Sequence, residues 1–375
     1  MSATNCILIA THSLIKLLMA AVVLGTPELL RTISMYQSGI YEDLRPYFKR
    51  AYFRGYYARD KTKASLHIAI ARNKSKVVER LYLCKPCMFT REAMDLAASF
   101  GHIDVVKVLH RLGCACSTSA IDSAAQCGAL GVVEFLHVNR TEGCTVFALN
   151  SALREGHDEL VEYLFKNRTE GCSPETVDHV AWNGQLKYVE LLHEKGVVGF
   201  STRTMDFAAG AGHLNIVQFL HEHRREGCSV DAMNDAARRG WQSVVEYLHN
   251  NRFEGCTTDA MDDAAANGHL GIVEFLHKNR SEGCTSDAMD LACRNGHLKV
   301  VQFLNENRHE GCTAAALIDA IKHGHTEIVK YLHQHCQSLY NWTQAIDVAT
   351  HRGRHEMLTF LISPLPSTIS PNPAS

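Results

Sequence analysis

Proline is almost absent where a folded chain would meet it. Of eight prolines, four lie in the last dozen residues, at Pro364, Pro366, Pro371 and Pro373, and Pro27, Pro46 and Pro86 precede residue 90. Pro174 stands alone between Pro86 and Pro364. Proline removes a backbone donor and breaks helices, so its scarcity predicts helix throughout this stretch. The Pro-rich segment 364–375 cannot hold a helix and is expected to be a disordered tail. Net charge is equally scarce: 38 Lys and Arg face 40 Asp and Glu, for a balance of -2. That balance supplies no overall attraction to nucleic acid or an anionic membrane, so neither is the expected partner and any such site must be local. No apolar run suits a membrane span, because the stretch from Ile7 to Leu24 is broken by His12, Ser13 and Lys16. Fourteen cysteines in 375 residues are too sparse for a small disulfide scaffold. With 46% apolar and 21% charged residues, the chain can fold around a core.

What the chain does have is self-similarity. From Thr257 to Cys284 it reads TTDAMDDAAANGHLGIVEFLHKNRSEGC, and the Gly-His step recurs or is replaced at Asn73, Gly101, Gly128, Gly156, Gly184, Gly212, Gly240, Gly268, Gly296, Gly324 and Gly353. The intervals are 28, 27, then seven of 28, then 29. Eleven copies therefore run over residues 62–363, a period that marks a repeat array.

Each copy holds two helical patterns separated by glycine. Met261, Ala264 and Ala265 recur at i, i+3 and i+4, a stripe of small or flexible side chains that lets a neighbouring helix approach closely. Thr257 is placed to cap the first helix, Asp259 adds a favourable charge to its first turn, and Gly268 ends it by taking a positive φ. The second pattern, Leu270, Ile272, Val273, Phe275 and Leu276, is apolar on more than one side, as a helix packed against its partner and both neighbouring copies must be. Two helices of about ten residues bury too little surface alone, so the copies must stack.

These residues resemble the ankyrin repeat. Ser65-Leu66-His67-Ile68-Ala69, followed by Val77-Val78 and Leu81, matches the Thr-Pro-Leu-His-x-Ala and Val-Val-x-Leu-Leu elements of that family, and Ala208-Ala209, Gly212-His213-Leu214 and Ile216-Val217 keep its later core. The period here is 28 rather than about 33 residues, and Ala260-Met261-Asp262 replaces the Pro-Leu-His step. The resemblance implies an all-α solenoid of antiparallel helix pairs with the β-hairpin fingers reduced or absent. It also implies a non-enzymatic scaffold that binds an unidentified protein, with no small-molecule substrate and no cofactor.

Three columns of chemically active side chains recur with the period. Histidines end the second helix at His110, His137, His193, His221, His249, His277 and His333, and follow the glycine at His102, His157, His213, His269, His297 and His325. Cysteines fill one slot at Cys116, Cys144, Cys172, Cys228, Cys256, Cys284 and Cys312, with Phe200 between Cys172 and Cys228. A slot that accepts phenylalanine wants an apolar group, which free cysteine can be. Zinc needs its ligands within about 2.3 Å, whereas packed helices stand roughly 8 to 10 Å apart, so the columns do not converge on a metal. The histidines are expected to bond helix ends and loops. The Asp95, Asp122, Asp178, Asp206, Asp262 and Asp290 column, with Asn150 and Asn234, is expected to tie loops. Outside the columns, Cys84-Lys85-Pro86-Cys87 and Cys114-Ala115-Cys116 are the one group whose four thiols could meet at zinc or a redox pair.

Residues 1–61 are read as a separate helical cap. Leu24-Gly25-Thr26-Pro27-Glu28-Leu29-Leu30, with Asp43-Leu44 beyond, faintly resembles an F-box, which would make the chain a substrate receptor of a cullin-type ubiquitin ligase. Leu17 to Gly25 after Lys16 has the form of a short signal sequence, the ground for a second alternative, a secreted effector. From Arg45 to Lys63 seven basic residues alternate with Tyr47, Phe48, Tyr52, Phe53, Tyr56 and Tyr57, a mixture suited to bases and phosphate or to the wet rim of a cap. Unpaired cysteines favour a cytoplasmic protein.

With the inner stripe at the slots seven, four and three before each glycine, a turn of 100° per residue places slots nine, five and two on the opposite side. The last two read Ser151 and Arg154, His179 and Trp182, Phe207 and Gly210, Asp235 and Arg238, then Leu291 and Arg294. The expected partner-binding set is Arg154, His179, Trp182, Phe207, Asp235, Arg238 and Arg294, centred on Trp182 and Phe207 with arginines beside them.

Overall fold

A computed structural model describes residues 63–336 and 340–362, with Leu44, Pro46 and Tyr47. The F-box-like and signal-like segments, and the tail 364–375, lie outside the described residues. The chain divides into two compact units, the first ending at Thr176 and the second beginning at Val177.

The described residues hold α-helices, one 3-10 turn and no strand. In the first unit these are α1 (Lys63–Ala71), α2 (Ser75–Cys84), the turn Pro86–Met88, α3 (Arg91–Ser99), α4 (Ile103–Arg111), α5 (Ser119–Gln126), α6 (Leu130–Asn139), α7 (Val146–Glu155) and α8 (Asp158–Asn167). Helix α9 (Pro174–Trp182) crosses the division. The second unit continues with α10 (Leu186–Glu194), α11 (Thr202–Gly210), α12 (Leu214–His223), α13 (Asp231–Arg239), α14 (Gln242–Asn251), α15 (Thr258–Ala266) and α16 (Leu270–Asn279). It ends with α17 (Ser286–Asn295), α18 (Leu298–Asn307), α19 (Ala314–His323), α20 (Thr326–His335), α21 (Trp342–His351) and α22 (His355–Ile362).

The repeat containing α15 and α16 shows why the pattern folds this way. Thr257 Oγ1 accepts the Asp259 amide at 3.2 Å and caps α15. At its other end Gly268 takes φ +77°, and the amides of Gly268 and His269 turn back to the carbonyls of Ala265 and Ala264 at 3.1 and 2.9 Å. A side chain at that φ would be strained. Helix α16 buries Ile272, Val273 and Leu276, and Asn279 Nδ2 closes its last turn on the Phe275 carbonyl at 2.8 Å.

Within each unit the first helices of successive repeats lie closest to one another. Their inner residues are the reason: Ala232, Met233, Ala236 and Ala237 of α13 meet Ala260, Met261, Ala264 and Ala265 of α15, all essentially inaccessible to solvent. Alanine lets backbones approach, and the unbranched methionine fills what remains. The second helices add a Val-Val or Ile-Val pair and a leucine each, as in Val244, Val245 and Leu248. Each repeat thus completes its core only with its neighbours.

Leu276 is 1% exposed, so Leu276→Ala should lower the free energy of unfolding by about 2 to 5 kcal/mol. Denaturant titration checks this, and a loss below about 1 kcal/mol would contradict the assigned inner face.

Candidate functional site

The framework that holds this site is a set of hydrogen bonds passed from one repeat to the next. In five first helices a carboxylate accepts both the amide and the hydroxyl of the residue that opens the following repeat. In the first unit Asp95 takes Ser117 N and Oγ at 2.9 and 2.7 Å, and Asp122 takes Thr145 N and Oγ1 at 2.9 and 2.8 Å. In the second, Asp206 takes Ser229 at 2.7 and 2.9 Å, Asp262 takes Thr285 at 2.8 and 2.7 Å, and Asp290 binds Thr313 in the same way. Asn150 and Asn234 fill the slot with the side-chain bond reversed, each Nδ2 donating to the hydroxyl of Ser173 or Thr257. Asp178 accepts Thr204 Oγ1 at 2.7 Å. The aspartate column therefore ties loops, as its regularity suggested. Burial pushes the Asp206 and Asp262 carboxyls up, and their bonds to Ser229 and Thr285 oppose the shift.

The histidine after each glycine performs a second hand-off. The Nε2 of His213 bonds the Trp182 carbonyl at 2.9 Å, and that of His325 bonds the Arg294 carbonyl at 3.0 Å. In the first unit His157 reaches the Gln126 carbonyl at 3.3 Å. Trp241 Nε1 and Arg354 Nη2 replace the imidazole at Gly210 and Lys322. The ring lies against the preceding repeat's glycine: a Cβ added at Gly240 would stand 2.6 Å from His269 Cε1. Glycine is needed there for close approach as well as for its φ.

The histidines that end the second helices behave differently from the expectation. Their rings stand edge-on to the next repeat's aromatic ring, as His137 does to Tyr163 and His277 to Phe303, with centroids 5.9 and 5.5 Å apart. The Nδ1 atoms of His110, His137, His193, His249, His277 and His333 are buried without a hydrogen-bond partner. Only His221 Nδ1 meets a donor, Arg252 Nη1 at 3.4 Å. Packing rather than loop bonding accounts for this column.

A further column escaped the sequence reading. In Arg-x-Glu-Gly-Cys, the arginine and glutamate form a two-bond fork, with Nη2 on Oε1 and Nε on Oε2, at Arg168 and Glu170, Arg252 and Glu254, and Arg280 and Glu282. Each fork also lies against the preceding repeat's glycine and cysteine, Arg280 against Gly255 and Cys256 and Arg308 against Gly283 and Cys284. Burial raises the Cys256 thiol to about 11 and that of Cys228 to about 12 despite the arginines. Such thiols are poor nucleophiles. At Phe200 the arginine remains, with Arg224 Cζ 4.3 Å from the ring centre, so a sulfur or a π face meets the same cation. The signal was the recurring Arg-x-Glu-Gly-Cys spacing, from Arg140 to Cys144 through Arg308 to Cys312.

Among the described residues the cysteines form no disulfide, and no three His, Cys, Asp or Glu groups are arranged to hold a metal ion. Of the separate four-thiol group, Cys84, Cys114 and Cys116 are buried and Cys87 is exposed.

The expected partner-binding residues separate into several situations. Trp182 and Phe207 are half-buried and meet edge to face, with ring centres 5.9 Å apart. The cation on Trp182 is Arg239, with Cζ 4.5 Å from the ring centre, and Arg203 lies 5.2 Å from that of Phe207. Arg238 instead pairs with Asp235 at 2.6 Å. The 100° step put Arg238 beside Trp182, but the cation that reaches that ring is the next residue of α13, Arg239. His179 is half-buried and bonds Asn183 Nδ2 at 3.0 Å. Arg294 is exposed at the end of α17, and Arg154 is exposed in the first unit. Ser151, expected to face outward, is buried. Trp241, 42% exposed, sits close by on Gly212 and was missed because its slot belongs to the histidine column.

Family models for ankyrin repeats match residues 261–304 and residues 289–373. No curated protein matches the chain. Residues 261–373 carry ankyrin repeats, and the same period and hand-offs occur in the repeats before them.

Asp262→Ala should cost about 1 to 3 kcal/mol, since it strands the Thr285 amide and hydroxyl. Asp262→Asn should cost less than half as much, because Asn234 shows that a carboxamide serves. Equal losses in denaturant unfolding would contradict this.

Proposed function

We propose that this chain is a non-catalytic scaffold that binds another protein through the first-helix face of its second unit. Ankyrin repeats are a protein-protein interaction module, which supports the reading at the level of class. The observation that carries the particular face is the division of labour among positions. The Asp, His, Arg-Glu and Cys columns are occupied in holding repeats together, whereas the slots around Trp182, Phe207, Arg239 and Arg294 vary in kind from repeat to repeat. A scaffold whose bonds are made elsewhere leaves such slots available for recognition. Aromatic rings with arginines beside them have the composition of interface anchors.

The same division argues against catalysis, because a reaction centre needs unlike groups gathered at one place, and here the Asp, His, Arg-Glu and Cys columns recur along the array, each engaged in holding repeats together. No described helix is long and apolar enough to cross a membrane. The buried thiols of the cysteine column fit a reducing compartment, and on that ground we assign the protein to the cytoplasm.

Trp182→Ala combined with Arg239→Ala should weaken capture of the partner by at least about tenfold, with a melting temperature changed by less than about 4 °C. The partner is first identified by affinity capture with wild-type protein, and binding is then titrated. Undiminished capture, or destabilisation as large as that of Leu276→Ala, would overturn the assignment.

A further inference from the structure

One position of the first helices goes against the framework. The slot nine before the glycine holds an acid in the first turn of α3, α9, α13, α15 and α17, at Glu92, Glu175, Asp231, Asp259 and Asp287. The helix dipole favours a negative charge there. In α11 the same slot is Arg203, and that helix has no acid in its first turn. The arginine forfeits the dipole's stabilisation, so helix formation does not account for it.

Arg203 is one end of a stack drawn from α9, α11 and α13. Its guanidinium stands over Phe207, Phe207 meets Trp182 edge to face, and Arg239 stands over Trp182. Both arginines are exposed. A guanidinium held over a ring keeps its N–H donors, which lie in its own plane, for other partners. The Arg239 guanidinium makes no hydrogen bond or ion pair with a described residue. Arg203 Nε is 3.6 Å from Asp178 Oδ2, beyond hydrogen-bond distance, and Asp178 already accepts Thr204. The other carboxylates of α11 and α13 are engaged as well: Asp206 holds Ser229, Asp235 takes Arg238, and Asp231 serves the first turn of its own helix. The fork arginines each carry their own glutamate, whereas these two are positioned on rings with their donors unmet by the chain.

We infer that this stack binds an acidic segment of the partner protein, with the Arg203 and Arg239 guanidinium groups each taking a carboxylate. The inference rests on the first-helix face of the second unit being the binding surface, and it changes which groups make the contact. The rings fix the arginines, and the arginines touch the partner. Carboxylates match the planar donor fork of arginine, and a charge-assisted pair of this kind is stronger than a neutral hydrogen bond. Because the side chains are already held on rings, little conformational freedom is lost when a carboxylate arrives.

The test uses full-length protein and a fluorescein-labelled peptide of about ten residues, mostly glutamate, with binding followed by anisotropy. We expect a dissociation constant of about 10 to 200 μM near physiological salt, and at least about tenfold weaker binding of the glutamine counterpart. Arg203→Gln with Arg239→Gln should weaken binding of the glutamate peptide at least about tenfold, with the melting temperature held within about 4 °C. Arg239→Lys keeps the charge but not the planar fork, and should weaken it at least about threefold. No binding of the glutamate peptide, equal binding of the glutamine peptide, or equal binding by the double variant would overturn the acidic partner. If Trp182→Ala with Arg239→Ala still weakens capture of the natural partner in that event, the binding face itself stands.

Discussion

An aspartate or asparagine in the middle of seven first helices holds the backbone amide of the residue that opens the next repeat, and exchanges a second bond with its hydroxyl. This pair of bonds spans repeats where a longer ankyrin unit would use a β-hairpin finger. Because Ser and Thr at that position also cap the following helix, as Thr257 and Thr285 do, one residue fixes both the start of its own helix and the register against the previous one. The alanine stripe, the glycine turn and the histidine behind it can meet their neighbours only when that register is held.

The histidines behind the glycines and the Arg-Glu forks reach backward by one repeat in the same way. The imidazole lies on the preceding glycine and bonds a carbonyl beyond it, and the Arg-Glu fork covers the preceding cysteine. The buried aspartates Asp206 and Asp262 are satisfied across the repeat boundary, and the thiols under the forks are held in the protonated form by burial. These bonds use the turns and helix ends and leave the outward first-helix slots unassigned. Variation at those slots, from Trp182 to Gly210 to Arg238, therefore costs the framework little, which is what recognition built on a repeated scaffold requires.

The architecture was legible because its signals are periodic. A glycine every 28 residues, a capping threonine before the alanine stripe and a Phe200 in a cysteine column each have one physical reading, and the structure agrees with all three. The aspartate column could be read as loop-tying from regularity alone. What was not legible depended on distances across repeats. The helix-end histidines resemble hydrogen-bonding groups in sequence, and only the ring of the next repeat shows that they pack. The exchange of Arg238 for Arg239 at Trp182 has a similar origin: helical angles describe one helix, while the reach of an α13 arginine to a ring of α9 depends on the packing of several. The Arg-Glu fork was present in plain spacing, but no single copy reveals what the arginine covers.

The central claim is that the loop amides opening each repeat are held by the preceding first helix. Hydrogen exchange of the native protein, resolved to single amides by NMR, tests it directly at Ser117, Thr145, Ser229, Thr257, Thr285 and Thr313. The account predicts that these six loop amides exchange as slowly as amides inside the helices, with protection recurring once per repeat. Exchange at the rate of open loop amides, with protection confined to helix interiors, would contradict it.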